Sequence, residues 1–159
     1  MNVKILKIIE KDAKISVGDI SAATGLSEEE IISEISEMES SGIIRGYKTV
    51  IDWQSIDTET VSAIIELKVV PKEHFGFEEI AERIAKYREV ESVSLMSGAC
   101  DLNVVVKGRT FTEVSNFVAK ELATLEGVTS TATQFVMRRY KEYGVELFSE
   151  CDDREKVSL

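Results

Sequence analysis

Asp19-Ile20-Ser21-Ala22-Ala23-Thr24-Gly25-Leu26-Ser27 is the stretch on which the fold turns. The small side chain of Ser21 lets two helices approach closely, and Gly25 supplies a tight turn between them. Ile31 follows at the spacing that packs back under that turn. Two helices joined in this way make a helix-turn-helix, in which the second helix lies in the major groove of DNA and the first crosses the backbone. Taken alone, the spacing is also met in three-helix units that never touch DNA.

Outward from this stretch, Val3 to Lys11 reads as a first helix with Ile5, Leu6, Ile8 and Ile9 on one side. Ser16-x-x-Asp19 caps the second helix, and Ser27-x-x-Glu30 is a full capping box for the third, which runs to about Ser40 and ends on Gly42. Placing Ile31, Ile32, Ile35 and Met38 inward turns Glu29, Ser33, Ser36, Glu37 and Ser40 outward, at about 100° per residue. Ile43 to Ile51 reads as a hairpin-like ribbon, the wing, and Asp52 to Thr60 as a polar linker. The expected first domain is 1–51 and the linker 52–60.

From Val61 the pattern changes. Val61–Val70 is a β-rich run, Phe77–Tyr87 a helix, and Val90–Ser97 and Leu102–Lys107 are strands about a turn at Gly98-Ala99-Cys100-Asp101. Thr110-x-x-Glu113 caps another helix, and Val128–Met137 is a last strand. This order is β-α-β-β-α-β, the ferredoxin-like split βαβ unit. The fold class is therefore α+β: an N-terminal winged helix-turn-helix followed by a ferredoxin-like domain over 61–148, with a charged, disordered tail over 149–159. Ile64 and Val70 fall on the strand face opposite Ala63, Ile65, Leu67 and Val69. A solvated face should be cleaner, so a second subunit is expected to cover it.

Composition bounds the function. Apolar residues are 43% of the 159, enough for a core. No run of ~18 uncharged apolar residues exists to span a membrane, and Met1 to Lys11 lacks the apolar stretch and cleavage site of a secretory leader, so a cytoplasmic protein is expected. Cys100 and Cys151 form no C-x-x-C pair, and a structural disulfide is not expected. His74 reads as a solvated loop residue. No phosphate loop, Ser/His/Asp set or metal-spaced cluster occurs, so no enzyme, cofactor or metal is called for. The basic run Arg138-Arg139-Tyr140-Lys141 reads as a strand end paired with the acidic surface. Tyr47 and Trp53 read as packing for the wing.

The net charge is −10, which argues against holding nucleic acid by bulk charge. Six glutamates and no basic residue lie between Ser27 and Ser40, and residues 1–58 hold six Lys/Arg against eleven Asp/Glu, a net of −5. Glu28, Glu29 and Glu30 suit a helix N-terminus. Glutamate can accept from cytosine N4, and serine can bond phosphate or base. Backbone contacts fall to Lys4, Lys7, Lys11, Lys14, Arg45 and Lys48. Candidate DNA contacts are thus Ser27, Glu29, Ser33, Ser36, Glu37, Arg45 and Lys48.

Gly25-Leu26-Ser27, Met38-Glu39, Gly42-Ile43-Ile44-Arg45-Gly46-Tyr47 and Asp52 together resemble the Lrp/AsnC family of bacterial and archaeal regulators. Ser97-Gly98-Ala99-Cys100-Asp101-Leu102 is similar to that family's Gly-x-x-Asp turn, and Gly127-Val128-Thr129-Ser130-Thr131-Ala132-Thr133 to the opening of its last strand. The resemblance covers roughly residues 3–147. It implies a transcription regulator that binds double-stranded DNA, pairs into homodimers through its sheets, often assembles to octamers, and binds an amino-acid effector between dimers. Carried onto this chain, the effector positions are Gly98, Asp101, Thr131 and Thr133. Two features depart from the family: Leu102 stands where an aromatic residue is common, and the outward face of the third helix lacks the usual Arg or Lys. The residues leave open a second reading, a ligand-binding sensor or hetero-oligomer partner with a degenerate reading helix.

Overall fold

The computed structural model describes residues 1–56, 60–70 and 76–147. The tail expected from 149, Cys151, Pro71 and His74 lie outside the described residues, as do linker residues 57–59. The chain divides into two compact units, Met1–Val50 and Ile51–Leu159.

The first unit is three helices, α1 (Val3–Lys11), α2 (Val17–Thr24) and α3 (Glu28–Ser40). Each start is set by a side chain that accepts an otherwise unpaired amide. Asn2 accepts from Lys4 N–H, Ser16 from Asp19 N–H and Ser27 from Glu30 N–H. The stop between α2 and α3 is Gly25, whose φ of 77° is left-handed and favours glycine. Ser21 does more there than save space: its hydroxyl donates to Leu26 O at 2.6 Å and ties the turn. Ile5, Ile20, Ile31 and Met38 form the core, with Leu6, Ile8, Ile9, Ile15, Ile35 and Ile44 packed around it.

Two expectations change here. Among the described residues none between Ile43 and Ile51 lies in a strand, so in place of the expected ribbon a run without strand structure follows α3. Ile32, expected inward, is 56% exposed, because Ile31 and Met38 already fill the space beneath α3.

The second unit builds a four-stranded antiparallel sheet from β1 (Val61–Val69), β2 (Val90–Leu95), β3 (Leu102–Gly108) and β4 (Val128–Phe135), in the order β2-β3-β1-β4. This is the expected ferredoxin-like arrangement. Helices α4 (Glu78–Ala85) and α5 (Phe111–Phe117), the latter continued by a π-type turn over Val118–Leu122, cover one face. There Ile80, Ile84, Val114, Phe117 and Leu122 meet Ala63, Ile65, Leu67, Leu102, Val104 and Val106.

Alternation puts Ser62, Ile64, Glu66 and Lys68 of β1 on the opposite face, beside Asn103, Val105 and Lys107 of β3. That face is more polar than expected: its apolar centre is the register pair Ile64 and Val105, both half-buried. A short hairpin not foreseen in the sequence, β5 (Lys141–Glu142) with β6 (Val145–Glu146), turns through Tyr143 and Gly144, both at positive φ. In it Arg139 pairs with Glu142 and donates to Ser62 Oγ at 2.9 Å, while Arg138 lies over the Tyr140 ring at 5.1 Å.

One glycine is fixed by space as well as by backbone. Gly127 opens β4 at φ 93°, and a Cβ there would stand 2.9 Å from Ile80 Cδ1 and 3.2 Å from Val70 O. Gly127→Ala is expected to destabilise the second unit by about 1–3 kcal/mol, the range for overpacking. Urea unfolding checks this, and an unmoved midpoint contradicts it.

Candidate nucleic-acid interface and ligand turn

Helix α3 carries the first candidate site. Its cap is a closed unit: Glu30 accepts from Ser27 N–H at 2.9 Å and from Ser27 Oγ–H at 2.8 Å, while Ser27 Oγ accepts from Glu30 N–H at 3.3 Å. These bonds from the Ser27 amide and hydroxyl hold the Glu30 carboxyl below its ordinary pKa. The Ser27 hydroxyl, a candidate DNA contact, is thus committed to the cap.

Beyond the cap, Glu29, Ser33, Ser36 and Glu37 share one shallow open surface with Ile32 and Ser40. The structure therefore brings four of the seven candidate DNA contacts together on one stripe of α3. Arg45 and Lys48 are exposed on the run that follows, outside that stripe. Tyr47, on the same run, is tethered back to α3: its hydroxyl donates to Glu39 Oε1 at 2.8 Å, which raises its pKa. Lys4, Lys7, Lys11 and Lys14 are exposed along α1 and just beyond it. The residue that sequence reasoning missed on the reading stripe is Ile32. Periodicity could not find it, because Ile31, Ile32 and Ile35 all fit an inward arc.

The second candidate site lies at one end of the sheet. Leu67 of β1 pairs with Leu102 on one side and Thr131 on the other, so Asp101 and Thr131 flank the same end of β1. Neighbouring strands are about 4.8 Å apart, which puts the flanking chains roughly 10 Å from each other. Thr133 pairs with Ile65, two residues further along and at the middle of β1. Gly98 is exposed in the turn that leads to Asp101.

Asp101 holds this end together. Its carboxylate accepts from Val69 N–H at 2.8 Å, its own N–H donates to Leu67 O at 2.9 Å, and its carbonyl accepts from Met96 N–H at 2.8 Å. The carboxylate thus bonds β1 and not the backbone of its own turn, the usual role of a turn aspartate. The bonds to Val69 and Leu67 tie the turn that carries Gly98 and Asp101 to β1. Thr131 is half-buried and Thr133 exposed, on the edge strand β4.

A separate pocket of about 80 Å³ opens on the sheet face away from the helices, lined by Trp53, Ser62, Lys107, Val136, Arg139 and Glu142 among others. Trp53 lines this pocket in a turn over Trp53–Ile56 of the second unit, not the first unit's expected wing.

Comparison with known proteins places both units. The model of the Lrp/AsnC ligand-binding domain matches residues 62–146, and that of a winged helix-turn-helix DNA-binding domain matches residues 2–45. The chain is 39% identical to the uncharacterised HTH-type transcriptional regulator YugG of Bacillus subtilis, over 97% of this chain and 93% of that protein. It is 28% identical to the leucine-responsive regulatory protein of Haemophilus influenzae, over 89% of this chain and 85% of that one. Its fold is that of a Neisseria meningitidis transcriptional regulator crystallised with L-methionine, with a TM-score of 0.67 and 22% identity, covering 88% of this chain and 90% of that one.

The cap yields a pH-resolved test. Ser27→Ala is expected to destabilise the first unit by about 1 kcal/mol at neutral pH. Because Glu30's folded pKa is lowered, the part of this stability that its carboxylate supplies is present above its ordinary value of 4.5 and lost as pH falls through the folded pKa. The gap between wild type and Ser27→Ala should therefore narrow below pH 4.5 in urea unfolding. A gap that stays constant or widens would contradict the arrangement.

Proposed function

Since this chain belongs to the Lrp/AsnC family of transcriptional regulators, we propose that it is a sequence-specific DNA-binding regulator whose second domain senses an amino acid or a related small metabolite. The observation that carries the reading is the pairing, in one chain, of a helix-turn-helix whose second helix turns a polar stripe outward with a ligand-binding domain of the Lrp/AsnC type, in which Asp101 and Thr131 flank the same end of β1.

Glu29, Ser33, Ser36 and Glu37 are the base-facing residues of this proposal. Ser27 acts through the cap, and Arg45 and Lys48, with the lysines of α1, neutralise phosphates. The effector is proposed to sit against the Asp101 turn and the β4 threonines. Two relatives support an amino acid: one is named for its response to leucine and another was crystallised with L-methionine. A homodimer through the face that carries Ile64 and Val105, with octamers built from it, would cover the half-buried apolar pair. A cytoplasmic site of action belongs to this proposal; among the described residues no helix is long and apolar enough to cross a membrane.

The glutamates of α3 favour a second reading, a sensor that joins a more basic paralogue. Co-purification with such a paralogue, and failure to bind DNA alone, would mark it.

The sensing half is tested by thermal unfolding with a panel of the standard amino acids. One class is expected to stabilise the chain by about 2.7 kcal/mol when present at ~100 times its dissociation constant. Thr131→Val and Thr133→Val should keep the ligand-free melting temperature and lose most of that gain. No stabilisation by any amino acid, or full stabilisation in both variants, would remove the proposed effector site.

A further inference from the structure

The outward stripe of α3 holds an exposed isoleucine among five polar residues. Ile32 is 56% exposed and sits with Glu29, Ser33, Ser36, Glu37 and Ser40 on one open surface of the helix. It adds nothing to the core, where Ile31 and Met38 are the buried residues of this helix. A β-branched side chain is also a weaker helix former than alanine, so local stability does not call for it.

The stripe's chemistry narrows what it can read. With no arginine or lysine on it, the bidentate contact to guanine O6 and N7 is unavailable. Carboxylates accept hydrogen bonds from the exocyclic amine of cytosine, and an apolar side chain meets the thymine C5-methyl, which projects into the major groove. Ile32 is the stripe's apolar member. Its helical neighbours three and four residues away are Glu28, Glu29, Ile35 and Ser36, and Ser33 shares its open surface. Ser33 and Ser36, both on that surface, have short side chains, and the exposed Ile32 is therefore open to an approaching base edge.

The negative charges sharpen this placement. Glu29 and Glu37 repel phosphate, so the stripe is tolerated where it faces base edges and disfavoured where it lies across a backbone. Phosphate contacts then fall to cations off the stripe, among them Arg45 and the lysines of α1.

We propose that Ile32 is a specificity-determining residue that contacts a thymine C5-methyl in the major groove, giving this regulator a requirement for thymine at one position of each half-site. The proposal rests on the DNA-binding reading above.

The experiment uses the full-length protein. Duplexes are enriched from a random library, and the best one is titrated by fluorescence anisotropy with each thymine replaced in turn by deoxyuridine, which removes only the methyl group. Wild type should lose about three- to tenfold in affinity at one thymine per half-site, the scale of one buried methyl. Ile32→Ala should bind the thymine duplex about as weakly as wild type binds that deoxyuridine duplex, and should no longer distinguish the two.

If every deoxyuridine duplex binds wild type as tightly as the parent, or Ile32→Ala keeps the wild-type ratio, the contact is wrong while the regulator reading stands. If no duplex is enriched, the regulator reading fails and the contact falls with it.

Discussion

Four buried side chains, Ile5, Ile20, Ile31 and Met38, decide which surface of α3 meets the outside. The first unit is only about fifty residues, where the fraction of surface that can be buried is small and each core contact matters. With one residue from α1, one from α2 and two from α3, rotation of α3 about its axis would expose Ile31 or Met38. The helix is therefore clamped, and the stripe from Glu29 to Ser40 is presented as a consequence. Whatever α3 reads, it reads with that stripe.

The acidity of α3 then has several causes: Glu34 pairs with the Met1 ammonium and Glu39 accepts from the Tyr47 hydroxyl. Glu28, Glu29 and Glu30 lie in the first turn, where the helix dipole favours negative charge, and Glu30 closes the capping box. That part helps the helix form. Glu37 has no such role and, with Glu29, lines the exposed stripe. An acidic reader gives up the phosphate attraction that most DNA-binding surfaces use, so its discrimination has to come from base edges. On the proposed reading a low affinity for arbitrary DNA is expected, since non-specific binding is electrostatic.

Much of this was legible along the chain because it rests on local rules. Ser16, Ser27 and Thr110 each cap the helix that their spacing predicts, and Gly25 takes the left-handed turn. The order of strands and helices gave the ferredoxin-like sheet. What escaped depends on tertiary competition. Ile31 and Ile32 fit an inward arc equally well, and only packing against Ile5 and Ile20 selects Ile31. The run after Gly42 has the glycine of a hairpin but no strand pairing. The hairpin at Tyr143-Gly144 was overlooked because its strands are two residues each, too short for alternation to register. Asp101 was singled out through family resemblance, and its bond to Val69 N–H, across thirty-two residues of sequence, cannot be read from a linear pattern.

The central claim is that a capped, acidic helix still discriminates DNA sequence. It is tested most directly by fluorescence-anisotropy titration of the purified protein against the DNA upstream of its own gene and a scrambled duplex, at low and at physiological salt. The account predicts preferential binding to the upstream DNA that survives physiological salt, with the scrambled duplex bound weakly at low salt only. Equal binding to the two duplexes, or none to either at low salt, would contradict it and make the stripe of α3 a disabled reader.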